Sequence, residues 1–268
     1  MGQIPIKKIG VVLQNDKTGF LESKSSPDKI QPPWRNVVDE LVIISKAELG
    51  SKLHSVYIRG SISRGTAVEE VSDFDFLVIL TDDSAKPQIE KLLQRADSLT
   101  KKYSFITKMD GTVKTEEQIM SPKGTVPRML IKLFSACVYG EDLAVRIDPI
   151  RPGKGVWNHS YSFADDMRKQ LTKLETAGRR IPLQQCRWIM KRHLRVGAEL
   201  VSERADAITR DLYPCWELFS RFYPGQKQAM LQVLDLALNP TNQASEIKNV
   251  INTLGKFLSA EIEKQRVN

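Results

Sequence analysis

The stretch of sequence that decides the fold runs from residue 60 to residue 75 and reads GSISRGTAVEEVSDFD. It is preceded by LHSVYIR, residues 53–59, and followed by FLVIL, residues 76–80. Both flanking segments are rich in β-branched and other apolar residues, which is typical of buried strands. The pattern therefore predicts two strands, joined by a segment that begins with a glycine-serine turn and ends in two closely spaced acids.

The two acids, Asp73 and Asp75, stand two positions apart at the start of the second strand. Side chains at this spacing point to the same face of a strand, with Cα atoms roughly 6.6 Å apart. Two carboxylates on one face repel each other unless a cation lies between them. Oxygen ligands of this kind suit Mg²⁺, so the pair predicts a magnesium site, although acids can also simply cap a strand start.

The glycine-serine turn supplies a different kind of group. Gly60 allows the backbone to approach a bulky anion, and Gly65 allows a second tight bend. The exposed N–H groups of such a turn, together with the Ser61 hydroxyl, form a cradle for phosphate oxygens. Arg64 either contacts the phosphates or pairs with a nearby glutamate on the surface. A phosphate cradle facing an acidic metal site is the equipment for attack on a nucleoside triphosphate.

The whole stretch resembles the G-S…D-x-D signature of the DNA polymerase beta-like nucleotidyltransferase superfamily, whose small members commonly read GSxxRG, a few residues, then SDxD. The matching positions are Gly60, Ser61, Arg64, Gly65, Ser72, Asp73 and Asp75. The resemblance covers roughly residues 35–143. It implies a Mg²⁺-dependent enzyme that moves a nucleoside monophosphate from a nucleoside triphosphate, most commonly ATP, to an acceptor hydroxyl and releases pyrophosphate.

The same family implies a third carboxylate on a later strand, which supports the metal and acts as general base. The segment KMDGTVKTEEQI, residues 108–119, is similar to the family's strand that carries this acid. Asp110 is therefore the expected third ligand, with Glu116 and Glu117 as alternatives. Gly111 stands where the family usually has an aliphatic residue, and Asp110 beside it can also be read as a turn residue.

The rest of the chain suggests a two-part organisation. Strand and helix signals alternate up to residue 148, which predicts an α/β (α+β) nucleotidyltransferase domain with a short mixed sheet. Helical periodicity dominates later, which predicts an α-helical bundle, broadly similar to that of aminoglycoside nucleotidyltransferases. The expected boundaries are an N-terminal extension at 1–33, the nucleotidyltransferase domain at 34–148, a proline- and glycine-rich linker at 149–158 and the bundle at 159–268.

Composition narrows the functional classes. The 268 residues contain three cysteines far apart in sequence, which excludes a disulfide framework and a cysteine-rich zinc site. No apolar run approaches 20 residues, so no membrane span is expected, and a cytoplasmic location follows as the default. The net charge of +8 is uneven: residues 1–150 hold 21 Lys and Arg against 20 Asp and Glu, while residues 151–268 hold 19 against 12.

This charge leaves the acceptor open. The resemblance suggests an aminoglycoside-type small molecule, which is a polycation, whereas a basic helical half suits RNA such as a tRNA end. Two further alternatives are an antitoxin-like enzyme that attaches AMP to a protein, and a regulatory module that binds nucleotide without transfer. The intact Asp73 and Asp75 argue against the last. The sequence predicts neither the preferred base nor the oligomeric state.

Overall fold

The computed structural model describes residues 3–70, 72–83, 86–157, 159–176 and 180–267. It contains two compact units, one formed by residues 22–150 and the other by residues 1–21 together with residues 151–268. The domain boundaries that composition suggests, at residues 34, 149 and 159, stay predictions.

The strands have between two and seven residues. In chain order they are β1 (Leu13–Gln14), β2 (Leu53–Arg59), β3 (Phe74–Leu80), β4 (Met109–Thr115), β5 (Ser135–Gly140) and β6 (Ala207–Ile208). The first unit holds a four-stranded sheet in the order β4-β3-β2-β5. Strand β2 runs antiparallel to β3 and β5, and β3 runs parallel to β4, so the predicted mixed sheet is confirmed.

Helices surround the sheet and make up most of the second unit. They are α1 (Trp34–Leu49), α2 (Gly60–Ser63), α3 (Lys86–Lys102), α4 (Glu116–Met120), α5 (Thr125–Phe134), α6 (Phe163–Thr176), α7 (Leu183–Val201), α8 (Leu212–Phe222), α9 (Lys227–Leu238), α10 (Ala244–Val250) and α11 (Lys256–Val267). Within the described ranges, none of these helices combines the length and the apolar character needed to cross a membrane.

Alternation along the strands gives the sheet two buried faces. Val56 and Ile58 of β2 belong to the larger core, which they share with α1 and α3. Tyr57, between them, belongs to a smaller core on the opposite face, together with Leu77 of β3 and residues of α4 and α5. Asp75 is two residues from Leu77 and therefore lies on the side of this smaller core.

The helical unit differs from the prediction in two local features. Its last apolar stripe is not one regular α-helix, because a π-helical turn at Ile251–Gly255 separates α10 from α11. It also contains a strand pair that the sequence pattern does not reveal: β1 pairs antiparallel with β6. Each strand of this pair has only two residues, which is too short to show a periodicity of two.

Candidate active site

The central feature of the site is a row of polar residues across neighbouring strands. Asp75 of β3 stands directly opposite Asp110 of β4 in the parallel register. On the other side of β3, Arg59 follows the Ile58–Phe76 pair of the antiparallel register, and its Nη2 lies 4.0 Å from Asp75 Oδ1. Paired residues on adjacent strands point to the same face, so these side chains share one surface.

Asp73 precedes β3 by one residue and is exposed. The Thr107 hydroxyl donates to its Oδ1 at 2.9 Å, which fixes the carboxylate beside the start of β4. Since β3 and β4 run parallel, Asp73, Asp75 and Asp110 all lie at the ends where these two strands begin. The structure thus brings together the three carboxylates that the sequence analysis singles out.

The negative charges of these acids act together on the neighbouring Lys108. Lys108 Nζ donates to Asp110 Oδ2 at 2.9 Å. This hydrogen bond raises the pKa of Lys108 above its ordinary value, and the negative charges of Asp110, Asp73 and Asp75 raise it further. An ammonium group is therefore attracted to the place where the family predicts a metal cation.

The glycine-serine turn packs against the acids. Gly60, the first residue of the single-turn helix α2, has φ +72°, and a Cβ atom there would lie 3.2 Å from Asp75 Oδ2. The absence of a side chain lets the backbone of the turn approach that carboxylate closely. Gly65 ends the turn with φ +69°, and a Cβ there would come within 2.9 Å of the Lys29 carbonyl oxygen.

A segment that the sequence analysis assigns to the N-terminal extension contacts this turn and supports it. The Ser63 hydroxyl donates to the Gly60 carbonyl at 3.0 Å, so the Ser25 hydroxyl is the donor in its 2.9 Å contact with Ser63 Oγ. The Ser26 N–H donates to the Ser63 carbonyl at 2.9 Å. Residues 25–29 therefore buttress the turn, a role that no local sequence pattern signals.

The register separates the candidates for the third carboxylate. Asp110 is the second residue of β4, whereas Glu116 and Glu117 follow its last residue and begin α4. A strand of this length spans roughly 20 Å, so the two glutamates lie far from Asp75. Glu116 is instead paired with Arg146 at 2.5 Å. This placement supports Asp110 over the two alternatives.

The unusual glycine beside Asp110 has a packing reason. A Cβ atom at Gly111 would lie 2.3 Å from the Phe76 ring and 2.8 Å from Leu93. These two side chains occupy the space that a side chain at position 111 would need. Gly111 therefore faces the larger core, and Asp110 points to the opposite face of the sheet, where Asp75 lies.

The donor chemistry of the site fits Mg²⁺. As the side chains stand, no group of three or more His, Cys, Asp or Glu among the described residues is arranged to hold a metal ion. Mg²⁺, however, is normally held by one or two carboxylates together with the phosphates of the substrate and water. Asp73 and Asp75 can provide these two carboxylates, with Asp110 on the adjacent strand.

The other residues considered from the sequence are less informative. Arg64 ends α2, and its backbone N–H bonds to the Ser61 carbonyl at 3.2 Å, while its side chain is partly exposed. Two charged residues of the site, Arg59 and Lys108, are not found by the sequence analysis. Arg59 directly precedes the motif, but only the strand register shows that it faces Asp75.

Comparisons with known proteins bear on the domain and on the fold. Residues 44–123 match the family model described as a nucleotidyltransferase domain. The crystal structure of spectinomycin adenyltransferase AAD(9) from Enterococcus faecialis with ATP and spectinomycin is similar in fold, with a TM-score of 0.54 and 12% identity over 85% of this chain and 99% of that chain. No curated protein matches the sequence. Residues 44–123 are therefore similar to a nucleotidyltransferase domain, and the resemblance on which the sequence analysis relies is confirmed.

Proposed function

We propose that the protein transfers a nucleoside monophosphate from ATP to a hydroxyl group of a small-molecule acceptor and releases pyrophosphate. The observation that carries the proposal is that acidic side chains and the glycine-serine turn lie together at the end of the sheet where β3 and β4 begin. Asp75 stands opposite Asp110, and the Gly60 turn lies against the Asp75 carboxylate. A metal-binding pair and a phosphate cradle in contact suit nucleotidyl transfer.

Each residue of the site has a role in this reaction. Asp73 and Asp75 would hold Mg²⁺, which neutralises the charge that develops on the phosphates. The Gly60 backbone and the Ser61 hydroxyl hold the triphosphate, with Arg64 beside them. Asp110 supports the metal and accepts the proton of the acceptor hydroxyl. The hydroxyl oxygen of the acceptor then attacks the α-phosphorus in line with the leaving pyrophosphate.

A small-molecule acceptor is supported by the structural neighbour, a spectinomycin adenyltransferase whose structure contains ATP and spectinomycin. One observation favours RNA as a second candidate. Residues 163–195, which include α6 and the first two thirds of α7, hold nine Lys and Arg against three Asp and Glu. This segment contains most of the excess positive charge of the chain, which would attract a polyanion rather than a polycation.

The reaction itself is tested with purified protein, labelled ATP and pools of candidate acceptors. We expect pyrophosphate release that needs both Mg²⁺ and an acceptor, and no release from the Asp73→Asn variant. Turnover by Asp73→Asn at the wild-type rate would refute the assignment. Lys123→Gln, which changes a charged residue in the turn after α4, is a suitable control and should turn over normally.

The same assay identifies the acceptor. Label that moves onto an aminoglycoside or aminocyclitol supports the small-molecule acceptor. Label that moves onto RNA or onto protein selects the alternative acceptors. Tight ATP binding without transfer to any pool would indicate a nucleotide-binding regulatory module.

A further inference from the structure

Arg59 is a residue of the site with a buried side-chain donor that lacks a hydrogen-bond partner among the described residues. It is the last residue of β2 and directly precedes the Gly60 turn. Its side chain is only 20% exposed. Its Nη2 lies 4.0 Å from Asp75 Oδ1, which is the outer limit of an ion pair, and its buried Nε has no hydrogen-bond partner within the described part of the chain.

This arrangement is costly in the protein as it stands. A buried donor without an acceptor destabilises a fold, because it loses its hydrogen bond to water and gains none in return. Such groups are rare in native structures and call for a physical explanation. Arg59 follows the core residue Ile58 along the strand, so its side chain points to the same face as Asp75 and Asp110. An acceptor that comes from outside the chain would satisfy the unpaired N–H.

The chemistry of the site indicates what that acceptor is. A guanidinium group presents its N–H donors in a planar fork that matches phosphate oxygens. The neighbouring Gly60–Ser61 turn is the proposed cradle for the triphosphate. Binding of Mg²⁺ by Asp75 would weaken the attraction between that carboxylate and Arg59. The guanidinium group could then bind the triphosphate in place of the Asp75 carboxylate.

We propose that Arg59 is a phosphate-binding residue: its guanidinium pairs with Asp75 when no nucleotide is present and binds the triphosphate when Mg²⁺ occupies Asp75. This inference rests on the proposed function of the same site. A purely structural role makes a different prediction. If Arg59 only neutralised Asp75, its replacement would strengthen binding of the metal and leave the affinity for nucleotide unchanged.

The test is calorimetric titration of the full chain with a non-hydrolysable ATP analogue, α,β-methylene-ATP, in the presence of Mg²⁺, and in parallel with adenosine. We expect Arg59→Gln to bind the analogue about tenfold or more weakly, and to bind adenosine as the wild type does. Arg95→Gln is the matched control, because it removes the same charge from a surface pair with Glu48 on α1. It should bind both ligands normally.

Three outcomes would overturn the role of Arg59. They are wild-type affinity of Arg59→Gln for the analogue, an equal loss of affinity for the analogue and for adenosine, and an equal loss in Arg95→Gln. If the glutamine variant does not fold, Arg59→Met replaces it under the same criteria. A wild-type chain that binds no analogue would overturn the proposed function as well, whereas unchanged affinity in Arg59→Gln alone rejects only the inference about Arg59.

Discussion

The two compact units each contain a carboxylate site, and the two sites are built in opposite ways. In the helical unit, Glu199 of α7 is almost fully buried, and both of its oxygens are engaged. It accepts hydrogen bonds from the N–H groups of His159 and Ser160, from His159 Nδ1 and from the Ser160 hydroxyl, at 2.6–3.1 Å. In the other unit, the side chains of Asp75 and Asp110 are 38% and 50% exposed.

The contrast distinguishes a buried structural anchor from a solvent-accessible pair of acids. Burial acts to raise the pKa of Glu199, but the hydrogen bonds from His159 and Ser160, together with the charge of His159 when it is protonated, outweigh it, so the pKa lies below its ordinary value. This carboxylate is charged, satisfied and closed to solvent, and it ties the chain around residue 160 to α7. The side chains of Asp75 and Asp110 are instead partly exposed, so that a cation and a substrate can reach them from the solvent.

The largest expected effect is the loss of activity in Asp75→Asn. The amide removes a negative ligand from the proposed metal pair. We expect kcat to fall about a thousandfold or more, which corresponds to about 4 kcal/mol of transition-state stabilisation. The free energy of unfolding in urea should change by only about 0.5 kcal/mol, because the side chain is partly exposed. A large loss of stability would mean that Asp75 is an anchor, as Glu199 is.

Glu199→Ala should show the reverse behaviour. It leaves four buried donors of His159 and Ser160 without an acceptor, and we expect a loss of about 3 kcal/mol in the free energy of unfolding. Urea denaturation followed by circular dichroism measures this loss. Glu203→Ala, an exposed acid shortly after the end of the same helix, is the control and should stay within about 0.5 kcal/mol of the wild type. Equal free energies of unfolding for the two variants would contradict the stabilising role of Glu199.

The anchor also makes stability depend on pH. Burial lowers the pKa of His159 to about 4, although Glu199 partly opposes this, and burial lowers the pKa of His193 to about 4 as well. The unfolded chain, with histidine pKa near 6.5, then binds protons before the folded chain does. The stability is therefore complete above about pH 6.5 and is lost as the pH falls towards 4, by at most about 1.4 kcal/mol per pH unit for each histidine.

Urea denaturation between pH 7.5 and pH 4.5 measures this dependence. His159→Gln should show a shallower slope than the wild type, because one of the two histidines no longer titrates. A slope that is the same in both proteins would exclude His159 as a source of the pH dependence.

The two sites also differ in how far the sequence reveals them. Asp73 and Asp75 follow from sequence alone, because a spacing of two on a strand fixes their common face locally. The placement of Asp110 opposite Asp75 depends on the register of β3 and β4, which is set by contacts between segments 35 residues apart. The resemblance supplies Asp110 as a candidate, but the sequence alone cannot separate it from Glu116.

Sequence patterns do not reveal residues whose hydrogen-bond partners lie far away in the chain. Glu199 lies within an apolar helix pattern, and its donors come from residues about 40 positions earlier in the chain. Trp157 falls in the segment expected to be a linker, yet it is buried, and its Nε1 donates to the Glu199 carbonyl at 3.1 Å. Prolines and glycines in that segment indicate turns, but they do not show whether the turns pack against a helix.

The smallest expected effect concerns residues 25–29, which contact the proposed phosphate-binding turn. Ser25→Ala removes the hydroxyl that donates to Ser63, which in turn holds the Gly60 carbonyl. We expect a loss of about 1 kcal/mol in the free energy of unfolding. If the segment positions the turn, the KM for ATP should rise severalfold while kcat changes little. Ser98→Ala on the surface of α3 is the control, and an unchanged KM in Ser25→Ala would show that the turn holds its conformation without this support.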